Sequence, residues 1–325
     1  MVRNLFDRRV LLVTGKGGSG KATIATALAM AARDRGLKVL LVQLGKNDYV
    51  GPIFGRNIPV YKETELEPGL FGLIVEPYLA LHEYLVGAMK IRMVVDWFLE
   101  NRVIQYLTQA APGWRELITV GKIWQLEQQT VGYQKRPRFD LLVVDAPATG
   151  HGISFLRVPQ IILNTLKFGP VRQQTMAVQK LLMDPDRTLL IGVTLPEDLA
   201  VNEVEEIHHA AKHVLQIPYG ATVINGFIAP LADAATTPIV RELLRDEKAM
   251  SALGRAVPHG VAALLEAMRL HEIRAELSAD YRAQVAERIG GTIMTTPYLA
   301  EMNEDRESII KVAKVLDEQV PRGRR

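Results

Sequence analysis

The apolar run VLLVT (10–14) leads straight into GKGGSGKAT (15–23), and an alanine-rich stretch, IATALAMAARDRG (24–36), follows and ends on glycine. A buried strand that turns through four glycines into a helix has few ways to fold. It must present successive backbone N–H groups at the mouth of the turn, with the positive end of the helix behind them. Such a loop is built for the phosphate chain of a nucleotide. Gly15, Gly17, Gly18 and Gly20 permit the curvature and the close backbone approach, and Lys21 supplies a point charge for the β- and γ-phosphates. Lys16, Ser19, Ala22 and Thr23 complete the phosphate loop. Ala22 departs from the pattern. That position takes Ser or Thr, whose hydroxyl ligates Mg2+, and a methyl group ligates nothing.

Six further short apolar runs follow: KVLLVQL (38–44), FGLIVEP (71–77), FDLLVVDAP (139–147), TLLIGVT (188–194), ATVING (221–226) and TIMTTP (292–297). Strands alternating with helices predict an α/β fold, a mostly parallel sheet with helices on both faces. Residues 1–325 are read as one domain. Two helical regions exceed the needs of that sheet and predict an appended helical layer. One covers about 78–135, with Met89, Met93, Trp97 and Phe98 close together, and the other about 153–183, with Met176 and Met183. Methionine-rich helices suit adaptable apolar grooves, although such side chains also fill gaps in cores.

The second chemical motif is LLVVDAPATGH (141–151). Asp145 stands where an apolar strand ends, the arrangement in which a carboxylate holds Mg2+ beside a phosphate loop. The loop of Asp145, Ala146, Pro147, Ala148, Thr149, Gly150 and His151 is then placed to sense the γ-phosphate.

GKGGSGKAT, DAPATGH, VTLPEDLAVNEVEEI (193–207) and VINGF (223–227) resemble, in order and spacing, the ArsA-type ATPases, bacterial branch. That family includes arsenite-pump ATPases and the eukaryotic targeting ATPase for tail-anchored membrane proteins. The resemblance covers about 10–300 and implies a P-loop NTPase fold of the SIMIBI kind with the deviant lysine, Lys16, of KGGxxGK. It also implies a face-to-face dimer in which Lys16 reaches the partner's nucleotide, and an ATP-driven change between open and closed forms. Asn225 would then bind the adenine edge, and Pro297 and Tyr298 would pack near the base.

The chain departs from its relatives twice, at Ala22 and after KVLLV. Relatives carry a water-orienting aspartate there (STDPAH or EVD), and ungapped alignment puts Gly45 at that position; Asp48 lies three residues on. One lost preorganised group costs about 10²–10³ in rate, so two leave little turnover. The backbone cradle and Lys21 remain. The expected protein is a dimeric nucleotide-binding switch with impaired Mg2+ binding and weak hydrolysis. The alternatives are a non-catalytic subunit that pairs with an intact ArsA-like paralogue or holds a hydrophobic helix of a membrane-protein client, and a ParA/MinD-like positioning ATPase.

Composition narrows this. The chain has no cysteine, so neither a thiolate arsenite site nor a CxxC zinc clasp is available. A net charge of +3, with no dense basic run before the last residues, predicts no nucleic-acid partner. MVRNLFDRRV has no signal core and no apolar run reaches spanning length, so a cytoplasmic location without an integral membrane segment is expected. His209 and His213 are spaced i, i+4 on one helix, with His208 beside them and no third ligand in view, so a solvated or half-buried face is expected there, and the helix at 307–320 is expected to dock onto the domain.

Overall fold

Every residue of β1 (Val10–Gly15) is buried, because this strand lies inside an eight-stranded sheet with a parallel neighbour on each side. The structure is a computed structural model that describes residues 4–89, 113–256, 261–299 and 305–322. After α1 (Lys21–Asp34) and β2 (Val39–Leu44) come β3 (Thr64–Glu67) and β4 (Leu70–Val75). The chain continues through α2 (Pro77–Met89), α3 (Trp114–Gln128), the short pair β5 (Thr130–Val131) and β6 (Arg136–Pro137), and β7 (Leu141–Asp145). Then follow α4 (Thr149–Thr165), α5 (Pro170–Met183), β8 (Thr188–Thr194), α6 (Asp198–His209) and β9 (Tyr219–Phe227). Helices α7 (Thr237–Arg245), α8 (Glu247–Ala256) and α9 (Val261–Arg288) precede β10 (Ile293–Pro297) and α10 (Arg306–Gln319). The sheet order is β10-β9-β8-β1-β7-β2-β4-β3, parallel throughout except for β3 at the edge.

Side-chain alternation along each strand separates two cores. Leu11 and Val13 point into one, with Ile24 and Leu28 of α1 and Leu316 of α10. Val10 and Leu12 point into the other, with Ile123, Leu126, Phe155 and Leu181. Each such leucine or isoleucine contributes about 1.5–3 kcal/mol on burial. The alanines of α1 have a clear use: residues 24–32 are buried without a break, because the helix lies between the sheet and α10. Arg35 fastens that layer, with Nε on Asp317 at 2.6 Å and Nη2 on the Val320 carbonyl at 2.8 Å. The C-terminal helix therefore docks as expected.

All seven strands read from the sequence are present. The helical layer is present as α2 to α5, and its inner side is the second core of the sheet itself. The segment read as helical to 135 ends earlier, because Thr130–Val131 and Arg136–Pro137 pair as an antiparallel hairpin. Met176 is 46% exposed; the side chains of Met89, Met93, Trp97 and Phe98 lie outside the described residues.

Candidate nucleotide-binding site

The loop after β1 keeps the geometry its glycines predict. Gly18 and Gly20 have φ of +84° and +83°, the left-handed region that glycine enters without steric cost. A Cβ at Gly17 or Gly18 would meet nothing within 4 Å, so the mouth of the loop is open. Gly20 caps α1 with no side-chain hydrogen bond, which leaves the first-turn N–H groups for an anion. Lys21 Nζ donates to the Lys16 carbonyl at 3.0 Å. Burial pulls the Lys21 ammonium below its ordinary pKa, against the opposing charges of Asp145 and Glu203. Ser19 Oγ is buried with no partner. Lys16, Ala22 and Thr23 are half-buried.

Strand β7 runs parallel to β1 and ends on Asp145 in register with Val13 and Gln43. Its Oδ2 accepts the Tyr49 hydroxyl at 2.5 Å, and its buried Oδ1 has no partner. Burial raises the Asp145 carboxyl pKa, with Tyr49 and Lys21 acting against it. Burial, then the Asp145 charge, raises that of the Tyr49 hydroxyl far above the ordinary tyrosine value. Sequence reasoning missed Tyr49. Its one signal was position, in the loop that leaves the strand beside β7.

That loop also explains Gly45 and Asp48. Gly45 sits at φ +124°. Asp48 is absorbed by the backbone: Oδ1 accepts from Gly51 N at 2.7 Å and Oδ2 from Ile58 N at 2.7 Å. It orders residues 48–58 and is not turned to the phosphate loop.

The stretch read as a loop over 145–151 is shorter. Ala146, Pro147 and Ala148 make the connection, and Thr149, Gly150 and His151 already form the first turn of α4. Ala148 is extended and accepts from Gly152 N at 2.7 Å, which starts the helix. The connection is tied to the phosphate-loop strand through Ala146 N on the Val13 carbonyl at 2.9 Å and the Thr14 hydroxyl on the Pro147 carbonyl at 2.8 Å.

Asn225 is bound to the loop itself. Its Nδ2 donates to the Ser19 carbonyl at 3.0 Å and its Oδ1 accepts from the Thr296 hydroxyl at 2.8 Å. One N–H and one lone pair of the amide remain. Tyr298 N donates to the Phe227 carbonyl at 3.0 Å, so β9 and β10 bring Asn225, Pro297 and a half-exposed Tyr298 to one end of the sheet.

A family model for anion-transporting ATPases matches residues 8–179, a span that holds both the phosphate loop and Asp145. The chain belongs to the ArsA-type ATPase family. ATPase BagA of Mycobacterium tuberculosis is 34% identical over 223 residues, 67% of this chain and 64% of that protein. An arsenical pump-driving ATPase of Escherichia coli is 27% identical over 265 residues, 75% of this chain and 43% of that one. ATPase GET3B of Arabidopsis thaliana is 21% identical over 306 residues, 76% and 72% of the two chains. The ArsA-type chain therefore spans somewhat under two thirds of BagA and under half of the pump ATPase. Membership carries nucleotide and Mg2+ use as general properties of the family. Among the described residues of this family member, no helix is long and apolar enough to cross a membrane. Among the described residues, His208, His209 and His213 included, no group of three His, Cys, Asp or Glu residues is placed to hold a metal.

Proposed function

We propose that this chain is an ArsA-type, ATP-dependent dimeric switch whose own site binds nucleotide but handles Mg2+ and hydrolysis poorly. The observation that carries the reading is the open, uncapped cradle of Gly15 to Thr23 at the carboxyl end of β1, with Asp145 ending the adjacent strand. In an open parallel sheet, ligands bind at the carboxyl ends of the strands. Backbone N–H groups and Lys21 hold the phosphates, the spare groups of Asn225 meet the adenine edge, and Pro297 and Tyr298 pack beside it. Residues 145–151 sense the γ-phosphate and pass the signal into α4. The whole chain acts as one domain.

Magnesium is poorly served here. Position 22 is a methyl group, Asp145 Oδ2 is engaged by Tyr49, and the strand end that carries an aspartate in relatives carries Gly45. Lys16, half-exposed at the loop, is suited to reach a second subunit, whether an identical chain or an intact paralogue.

Calorimetric titration of ATP and ADP, with phosphate release measured alongside, tests this. Binding is expected in the native chain and falls about tenfold or more in Lys21→Ala, since hydrogen bonds to charged groups carry about 1.5–3 kcal/mol. Phosphate release stays at background. Sustained release that Lys21→Ala abolishes would overturn the weak-hydrolysis reading, and absence of binding heat would overturn the nucleotide reading.

A second reading, a subunit that holds a hydrophobic helix, draws on the outer side of α4 and α5. Ile161 of α4, Phe168 in the connection and Met176 of α5 are 50%, 88% and 46% exposed. Saturable binding of an apolar helical peptide, weakened by Phe168→Ser, would favour it.

A further inference from the structure

The Tyr49–Asp145 contact is not explained by packing alone. Tyr49 leaves β2 in a loop that is fixed at several points. Its own N–H donates to Gln43 Oε1 at 3.1 Å, Val50 next to it is 1% exposed, and Asp48 holds the two backbone N–H groups beyond. Its ring packs against the core that contains α1. The hydroxyl therefore meets Asp145 by construction, and a donor at 2.5 Å from a carboxylate oxygen is a short, charge-assisted hydrogen bond. What Asp145 leaves for a cation is one buried oxygen without a partner, Oδ1, and position 22, where the phosphate-loop pattern supplies a hydroxyl ligand, is a methyl group. Magnesium demands near-octahedral oxygen coordination and gives up water reluctantly. Waters and phosphates supply most of its shell, but the one or two protein oxygens it still needs are poorly provided: Asp145 Oδ2 is taken by Tyr49 and the position-22 hydroxyl is missing.

We propose that the Tyr49 hydroxyl replaces the divalent cation as the partner of Asp145, so that this chain holds its nucleotide without metal. Tyr49 is a positioning residue: it holds Asp145 in place and satisfies the oxygen that a cation would otherwise engage. The charge of the polyphosphate is then met by Lys21, by the amide cradle and, across a dimer, by Lys16 of the second copy. The inference rests on the nucleotide-binding reading above and adds to it the absence of any metal requirement, with a named cause.

The test is calorimetric titration of ATP on the full chain in EDTA and again in Mg2+, for the native protein, Ala22→Ser, Tyr49→Phe and the double variant Ala22→Ser/Tyr49→Phe. Circular dichroism melts confirm that each is folded. The native chain and Ala22→Ser are expected to bind ATP equally in both buffers, within about twofold. In the double variant, Mg2+ is expected to tighten ATP by about 10–100-fold, the scale on which partners of metal ligands act. A phenylalanine that only fills the same space would not confer a metal dependence, so packing alone does not give this result. Native binding that Mg2+ strengthens tenfold would overturn the role of Tyr49 and leave nucleotide binding standing. Equal affinities in both buffers for the double variant would also overturn it. No binding heat in any buffer would overturn the nucleotide reading itself.

Discussion

A methyl group added at Gly15 would lie 2.0 Å from the carbonyl oxygen of Val193. The two residues are register partners on β1 and β8, so the phosphate loop begins where two backbones come closer than a side chain allows. Gly15→Ala is expected to destabilise the chain by about 1–3 kcal/mol, the usual cost of overpacking. ATP binding should be lost with it, because the strand can make room only by shifting the loop. A thermal melt with a calorimetric titration reads both.

Gly45→Asp supplies the acid that the family resemblance leads one to expect after this strand, but not a backbone suited to it. At φ +124° a residue with a Cβ is strained by about 1–3 kcal/mol. We expect a lower melting temperature and no gain in phosphate release. A rise in ATP hydrolysis from this single change would show that the loop can rearrange to bring an acid to the phosphates.

Asn225→Ala separates two roles of one side chain. It removes the hydrogen bond to the Ser19 carbonyl and leaves the Thr296 hydroxyl without its acceptor, a loss of about 1–3 kcal/mol of stability. If the amide also reads the adenine edge, affinity for ATP falls further than affinity for inorganic tripolyphosphate. An equal loss for both ligands would confine Asn225 to supporting the loop.

Glu272 gives a pH dependence away from the phosphate loop. Burial alone would raise its carboxyl pKa, but the Leu231 N–H at 2.6 Å and Arg241 Nε at 2.9 Å outweigh it and hold the group below its ordinary value. A lowered folded pKa means stability that is complete above the unfolded value, about 4.3, and lost as the pH falls through the folded one. Glu272→Gln should therefore lower stability at pH 7 and flatten the acid limb of the melting curve below about pH 4.3. An unchanged limb would count against the assignment.

The strands were legible because a fully buried parallel strand must be apolar on both faces, as VLLVT, LLVVD and TLLIGVT are. Strand β3 was not: in Thr64–Glu67 only Leu66 is buried, and an edge strand with one inward side chain leaves no pattern. The hairpin at 130–137 is exposed on both strands and leaves none either. Helices α7 to α9 drew no attention because they carry no chemical motif: Arg241, Arg245, Glu272 and Glu276 are ion-paired across them, while Ile239, Leu243, Leu270 and Ile273 are exposed. At the site, the glycines, Lys21 and Asp145 were visible because phosphate chemistry fixes their spacing. Tyr49 reaches Asp145 across 96 positions through a folded loop, and no local pattern encodes such a meeting.

Gly152 has no room for a side chain: a Cβ there would lie 2.7 Å from the Pro147 carbonyl and 2.9 Å from the Thr14 hydroxyl. The opening turn of α4 thus rests directly on the strand that feeds the phosphate loop, with no flexible side chain between them to absorb strain. A shift of Thr14 would press directly on the foot of this seventeen-residue helix, and Pro159, which interrupts its hydrogen bonding, lies between that foot and the exposed Ile161 about two and a half turns away. An alanine at 152 would act as a wedge at that foot.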